Sequence, residues 1–141
     1  MNCKEEIENL AWIKIGEANC LFEHEFFDGA YYMGGYAIEL LLKAKVCKTL
    51  GISDFFLFQK GSRPEAFKPY KVHDYEQLLI LSGLYTDFQK ALNEEKDFKI
   101  HWSIVSEWSE KYRYLTGKEK EELQNYLSSL TEIAKWIQKH L

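Results

Sequence analysis

Cations and aromatic rings alternate between residues 60 and 71, where the chain reads KGSRPEAFKPYK. Phe67 and Tyr70 supply the rings, and Glu65 is the single acid among the cations Lys60, Arg63, Lys68 and Lys71. Positive charge holds phosphate and rings stack on bases, so this combination is typical of sites for a nucleotide or for single-stranded nucleic acid. The alternative is a solvated loop whose rings pack back on the body of the protein.

Two further pairs of residues, His73 with Asp74 and Arg113 with Tyr114, could extend such a site. His73 could donate a hydrogen bond to phosphate beside Arg113 and Tyr114. The structural alternative makes Asp74 a helix N-cap with His73 before it, and it makes Arg113 a partner of helix carbonyls or of a nearby acid. Both alternatives stay open at the level of sequence.

Neither metal nor cofactor chemistry has a recognisable pattern. Cys3, Cys20 and Cys47 form no CxxC pair, and neither His24 nor His101 has a second ligand at metal-binding spacing. No glycine-rich phosphate loop, dinucleotide fingerprint or nucleophile elbow appears. We therefore expect no metal and no cofactor, and the odd cysteine count indicates a reducing compartment.

A third group of candidate residues lies in the stretch MGGYAIELLLKAK, residues 33–45. Glycine inside a helix costs about 1 kcal/mol relative to alanine, and the usual compensation is the close approach of another backbone. Gly35, Glu39 and Lys43 fall in one column at i, i+4 spacing, with Glu39 oriented favourably toward Lys43. The column is either a tight helix crossing with a solvated ion pair at its edge, or a groove or interface where charge is needed.

These residues require elements to position them, and apolar spacing predicts helices through most of the chain. The most regular stripe comprises Leu123, Tyr126, Leu127, Leu130, Ala134, Ile137 and Leu141. Another comprises Ile104, Val105, Trp108, Tyr112 and Leu115. Three pairs have capping-box spacing and predict helix starts: Thr116 with Glu119, Asp74 with Gln77, and Thr86 with Gln89.

The stretch from about residue 52 to 72 interrupts this pattern, because it contains both prolines and no helical stripe. We read it as one long loop. The sequence thus predicts an all-α protein, an up-and-down bundle of about five helices in a single domain spanning residues 1–141.

Composition excludes several classes of function. A net charge of −4 argues against duplex-DNA binding, which usually needs a basic surface. The N-terminus MNCKEEIENL lacks the basic and apolar regions of a signal peptide, and no window has the roughly eighteen apolar residues of a membrane span. We expect a cytoplasmic protein that does not enter a membrane.

Four segments together resemble one family of small helical bundles. The stretch GGYAIELLLKAK, preceded by FFDGAYYM, is similar to the second helix of HEPN domains. The stretch VHDYEQLL is similar to the opening of their third helix, and WSEKYRYL is similar to their late Arg-Tyr segment. The segments span residues 27–115 in the expected order. HEPN domains occur with nucleotidyltransferases, in toxin–antitoxin systems and in RNA-processing enzymes.

The resemblance implies a binding module rather than an enzyme. Nuclease members of the family carry an arginine followed by a histidine, with four to six residues between the two. Here Arg113 is followed at those positions by Lys118, Glu119 and Lys120. We therefore expect a non-catalytic module that binds nucleotide or single-stranded RNA weakly and acts with a nucleotidyltransferase-type partner. The alternative is a metal-independent endoribonuclease of the toxin type.

We predict that the protein is a homodimer. The aromatic share of 16% and the glycine-lined column suggest that a partner covers one face, and proteins of the family it resembles commonly pair. Light scattering coupled to size exclusion at micromolar concentration should give the mass of two chains. A single-chain mass at that concentration would contradict the prediction.

Overall fold

The computed structural model describes residues 4–53, 74–114 and 116–141, and of Arg113 it describes the backbone alone. These ranges contain six α-helices and one short 3-10 helix, and they contain no strand. The α-helices are α1 (Lys4–Glu23), α2 (Phe27–Leu50), α3 (Tyr75–Ser82), α4 (Tyr85–Glu94), α5 (Lys96–Val105) and α6 (Lys120–Lys139), and the 3-10 helix spans Glu110–Tyr114. The predicted all-α bundle is confirmed, with six helices where about five were expected.

Helix α2 is the centre of the bundle. It packs against α1, α3, α6 and the 3-10 helix, whereas α1 and α6 meet each other only slightly. Its buried residues lie on all sides of the helix and include Ala30, Ile38, Leu41, Leu42 and Val46. A helix that is apolar all round is expected in the interior. Helices α4 and α5 instead pack on each other, with α4 against α3 and α5 against α6.

One of the three predicted helix caps is confirmed. Asp74 is the N-cap of α3, and its carboxylate accepts hydrogen bonds from the backbone N–H groups of Glu76 at 2.8 Å and Gln77 at 3.4 Å. Thr86 lies inside α4, which begins one residue earlier, directly after Leu84. Its prediction as a cap is wrong, because Gly83 and Leu84 already turn the chain at this point.

The predicted cap at Thr116 is also wrong. Glu119 is the N-cap of α6 and makes no side-chain capping bond. The carboxylate of Asp28, at the start of α2, instead accepts hydrogen bonds from the backbone N–H groups of Gly117 at 3.3 Å and Lys118 at 2.8 Å. The segment before α6 is thus attached to α2, and the helix begins only after it.

The stripe from Ile104 to Leu115 does not form one continuous helix. Helix α5 ends at Val105, the chain turns through Ser106 and Glu107, and the 3-10 helix follows. Leu115 lies outside the described residues. The interruption lets Trp108 leave the helical path and reach α2.

The two adjacent glycines of α2 accommodate side chains rather than another backbone. A Cβ added at Gly35 would overlap three atoms of the Trp108 indole. A Cβ added at Gly34 would lie 3.1 Å from Leu130 and 3.2 Å from Tyr126, both in α6. Close approach at these glycines was expected, but its source is an indole ring and the side chains of α6.

The predicted long loop of residues 52–72 falls almost entirely outside the described ranges, which end at residue 53 and resume at residue 74. No helix of the described part of the chain is both long enough and apolar enough to cross a membrane.

The Gly35–Trp108 contact leads to a matched pair of predictions. Gly35→Ala should lower the free energy of unfolding by about 1–3 kcal/mol, because the added methyl group overpacks the indole. Gly16→Ala should raise it by up to about 1 kcal/mol, since Gly16 lies within α1 and no atom of the described residues is within 4 Å of an added Cβ. Urea denaturation followed by circular dichroism measures the free energy of unfolding of both variants. An equal increase in that free energy at the two positions would contradict the packing described.

Candidate functional site

A cleft lies between α3, α4, α5 and the segment that connects α5 to the 3-10 helix. Its volume is about 720 Å³. Six of its thirteen lining residues are aromatic or aliphatic, and the other seven are polar or charged. The apolar lining residues are Tyr75, Leu79, Tyr85, Phe88, Trp102 and Trp108. We call this space the aromatic cleft.

Ring contacts hold the walls of the aromatic cleft in place. Tyr75 stacks on Trp108 with ring centroids 5.5 Å apart and planes 18° apart. Trp102 contacts Tyr75 at 5.7 Å and meets Phe88 edge to face at 4.7 Å. The Tyr75 hydroxyl donates a 2.7 Å hydrogen bond to the carbonyl oxygen of Gly35. The rings therefore form a fixed surface anchored to α2.

Burial keeps the Tyr75 hydroxyl protonated. Its pKa is raised well above the ordinary value, chiefly by burial and then by Tyr126, Glu39 and Tyr31. The hydroxyl is therefore a hydrogen-bond donor to Gly35 over the whole physiological pH range, and Tyr75 is a structural part of the wall.

The polar lining of the cleft is predominantly acidic. It includes Asp74, Glu76 and Glu110, against the single cation Lys111. Gln89, Ser106 and Ser109 add neutral hydrogen-bonding groups. The described part of the cleft thus offers stacking surfaces and acceptors, but little positive charge.

The residues predicted to bind phosphate adjoin this cleft along the chain. Asp74, at one edge, directly follows His73, and Lys111, at another, comes two residues before Arg113. Tyr114 is 79% exposed at the end of the 3-10 helix. Asp74 and Lys111, the described residues nearest in sequence to these two segments, both line the cleft. The side chain of Arg113 and the residues Arg63, Lys68, Lys71 and His73 lie outside the described part of the structure.

The column of Gly35, Glu39 and Lys43 faces the interior of the bundle. Glu39 is fully buried and Lys43 is 7% exposed. Lys43 Nζ lies 2.8 Å from Glu39 Oε1, so the pair is buried rather than solvated at an edge. Trp108 of the same chain covers Gly35, so the column is not an open groove. The column therefore no longer supports the predicted homodimer, which stays a prediction.

A smaller cavity of about 200 Å³ lies at the start of α6. The Lys118 ammonium is 4.1 Å from the ring centroid of Tyr31, 4.8 Å from that of Tyr112, and 3.2 Å from a carboxylate oxygen of Glu122. Lys118 occupies the first position at which the nuclease pattern would place a histidine after Arg113. Cation–π and ionic contacts hold it in a structural role there.

His24 and His101 each contact an oxygen atom of the protein through Nδ1. His24 Nδ1 lies 2.9 Å from the carbonyl oxygen of Cys20, and His101 Nδ1 lies 2.9 Å from the hydroxyl of Ser129. Within the described ranges, no three His, Cys, Asp or Glu residues are grouped so that they could hold a metal ion.

The ring residues of the aromatic cleft were not among the sequence-predicted site residues. They lie in α3, α4, α5 and the following turn, so no local motif contains them. The sequence signal for these rings is the high aromatic content, which also underlies the predicted face covered by a partner.

Comparison with known proteins places this chain in no family: no family model, no curated protein and no solved structure matches it.

The buried ion pair generates a stability prediction. Lys43→Met should lower the free energy of unfolding by about 3–5 kcal/mol, because it leaves the buried carboxylate of Glu39 without its cation. Replacing both residues, as Glu39→Leu with Lys43→Met, should restore most of that loss. The control is Lys135→Met, which removes a 3.7 Å contact between Lys135 and Glu132, both more than half exposed. Chemical denaturation measures all three, and equal losses for Lys43→Met and Lys135→Met would contradict the burial of the pair.

Proposed function

We propose that this chain is a non-catalytic binding module that holds a nucleotide or a short stretch of single-stranded RNA, with bases stacked in the aromatic cleft. The observation that carries the proposal is a preformed cleft of about 720 Å³ with five aromatic residues in its lining. Small-molecule sites have volumes of roughly 300–1,000 Å³ and mostly apolar walls with a few polar groups. The aromatic cleft has a volume in this range, and five of its lining residues are rings, although polar residues make up about half of the lining.

Stacking would supply most of the binding free energy. Tyr85 is 36% exposed at the beginning of α4, and Trp102 is half-buried beside it in the cleft lining. Every base has a π face, and base–aromatic stacking contributes about 1–3 kcal/mol per base. These two rings are accessible to a base that enters from solvent.

The phosphates of such a ligand would be held outside the ring-lined walls. The cations predicted for this task are Arg63, Lys68, Lys71 and Arg113, with His73 and Tyr114 beside them. They belong to the segments that adjoin the cleft along the chain. Because the described lining is acidic, we expect the total affinity to be low.

Catalysis is not part of the proposal. Cleavage of RNA through its 2′-hydroxyl needs a base positioned to take the hydroxyl proton. At the first position where the family pattern would place that base, Lys118 contacts Tyr31, Tyr112 and Glu122. The alternative, an endoribonuclease, requires His73 to supply the base from another direction.

A protein partner completes the proposal. The resemblance to HEPN domains implies action beside a nucleotidyltransferase-type protein and pairing with a second copy. A module of this kind would present a bound nucleotide or RNA end to the partner's chemistry. This role follows from the resemblance, and the cleft supports its binding half.

Substitution of a ring at the cleft mouth tests the binding site. Tyr85→Ala should weaken binding of a fluorescently labelled single-stranded RNA by about 5- to 100-fold, corresponding to a loss of about 1–3 kcal/mol of stacking. Fluorescence anisotropy measures the affinity. Ile100→Ala is the control, because Ile100 is a 48% exposed apolar residue of α5 that does not line the cleft. Equal affinity for wild type and Tyr85→Ala would contradict the proposed site.

The same labelled RNA distinguishes the module from the enzyme. Replacing Lys68, Lys71 and Arg113 together by alanine should lower the affinity and flatten its salt dependence, because fewer phosphate contacts then release counterions. The RNA should remain intact throughout. Cleavage that disappears in His73→Ala would overturn the non-catalytic assignment and establish the endoribonuclease.

A further inference from the structure

The described lining of the aromatic cleft contains one side-chain amide, that of Gln89. Gln89 lies in α4, four residues after Tyr85, so the two side chains share one face of that helix. It is half-buried, and within the described ranges its amide makes no hydrogen bond to the protein. The amide is therefore available to a ligand that enters the cleft.

Phe88, the residue before Gln89, fixes this part of α4 in place. Its ring is 1% exposed and meets Trp102 of α5 edge to face at 4.7 Å and Trp136 of α6 edge to face at 5.2 Å. These contacts hold the backbone of Gln89 beside the cleft. A base that stacks on Tyr85 or Trp102 enters the same space that Gln89 lines.

The amide differs from the other polar groups of the described lining in how its hydrogen-bonding atoms are arranged. Its NH₂ group donates and its carbonyl oxygen accepts, so the two functions lie side by side on separate atoms. The hydroxyls of Tyr85, Ser106 and Ser109 carry both functions on one oxygen, whereas carboxylates only accept and an ammonium only donates. Gln89 is thus the described lining residue that can make two parallel hydrogen bonds to the edge of a base.

Adenine matches this arrangement on either of its free edges. Its 6-amino group donates beside an acceptor nitrogen, N7 on one edge and N1 on the other, and glutamine binds the N6–N7 edge with two hydrogen bonds. The corresponding edge of guanine has two acceptors, O6 and N7, and leaves the amide oxygen without a donor. A purine also offers more ring surface for stacking than a pyrimidine does.

We infer that the aromatic cleft selects adenine and that Gln89 is the residue that recognises the base. This inference rests on the proposed function and adds the identity of the base. The phosphates stay with the cations that the proposed function assigns to them.

Isothermal titration of the full chain with adenosine and with purine riboside, which is adenosine without the 6-amino group, tests the inference. The wild type should bind adenosine about 5- to 100-fold more tightly, the range for one bidentate contact to a base. It should also bind guanosine and uridine more weakly than adenosine. In Gln89→Met the affinities for adenosine and purine riboside should become equal, because methionine has a similar length but no amide.

The matched control is Gln124→Met. Gln124 is an exposed glutamine of α6 that does not line the cleft, so this variant should keep the wild-type preference for adenosine. Circular dichroism verifies that both variants are folded.

The outcomes separate this inference from the proposed function. Equal binding of adenosine and purine riboside by the wild type, tighter binding of guanosine or uridine, or a preference that persists in Gln89→Met would overturn the selection of adenine by Gln89. Binding of single-stranded RNA that depends on Tyr85, without binding of adenosine, would overturn this inference alone. Absence of binding by RNA and by every nucleoside would remove the proposed function together with it.

Discussion

The indole of Trp108 fills the space that a side chain at residue 35 would occupy, and this contact holds the segment after α5 against α2. Gly35 makes a second contact, because its carbonyl oxygen accepts the hydrogen bond that the Tyr75 hydroxyl donates. Trp108 and Tyr75 stack on each other and come from two different walls of the aromatic cleft. A glycine inside a helix costs about 1 kcal/mol, and here that cost permits the contact from which the cleft is built.

The charges of α2 and those of the cleft have separate roles. The Glu39–Lys43 pair lies in the bundle interior, where a buried pair contributes little net stability but is costly to break. The carboxylates of the cleft lie at helix beginnings, where the helix dipole favours negative charge. Acidic residues there stabilise α3 and, in the same position, give the cleft its negative lining. Asp74 and Glu76 thus lie at a helix start and in the cleft lining at once.

Helical spacing predicted the all-α bundle, and the cap at Asp74 was predicted because its signal is local. Thr116 failed as a cap because Asp28, far away in sequence, binds the backbone before α6. The sequence predicts Trp108 within one continuous helical stripe, because its distance in sequence from Val105 and from Tyr112 fits a helix. The chain nevertheless turns after Val105. The cleft itself has no sequence signature, since its rings come from separate elements and are brought together only by the packing of the helices on one another.

The most direct test of the aromatic cleft as the ligand site uses the four tryptophans of the chain as reporters. In a nitrogen-15 NMR titration with adenosine, the indole N–H signals of Trp102 and Trp108 should shift progressively, because a stacked base adds its ring current to the cleft. The signal of Trp12, which lies in α1 and does not line the cleft, should stay unchanged. Shifts confined to Trp12, or saturable binding that leaves both cleft indoles unmoved, would contradict the account.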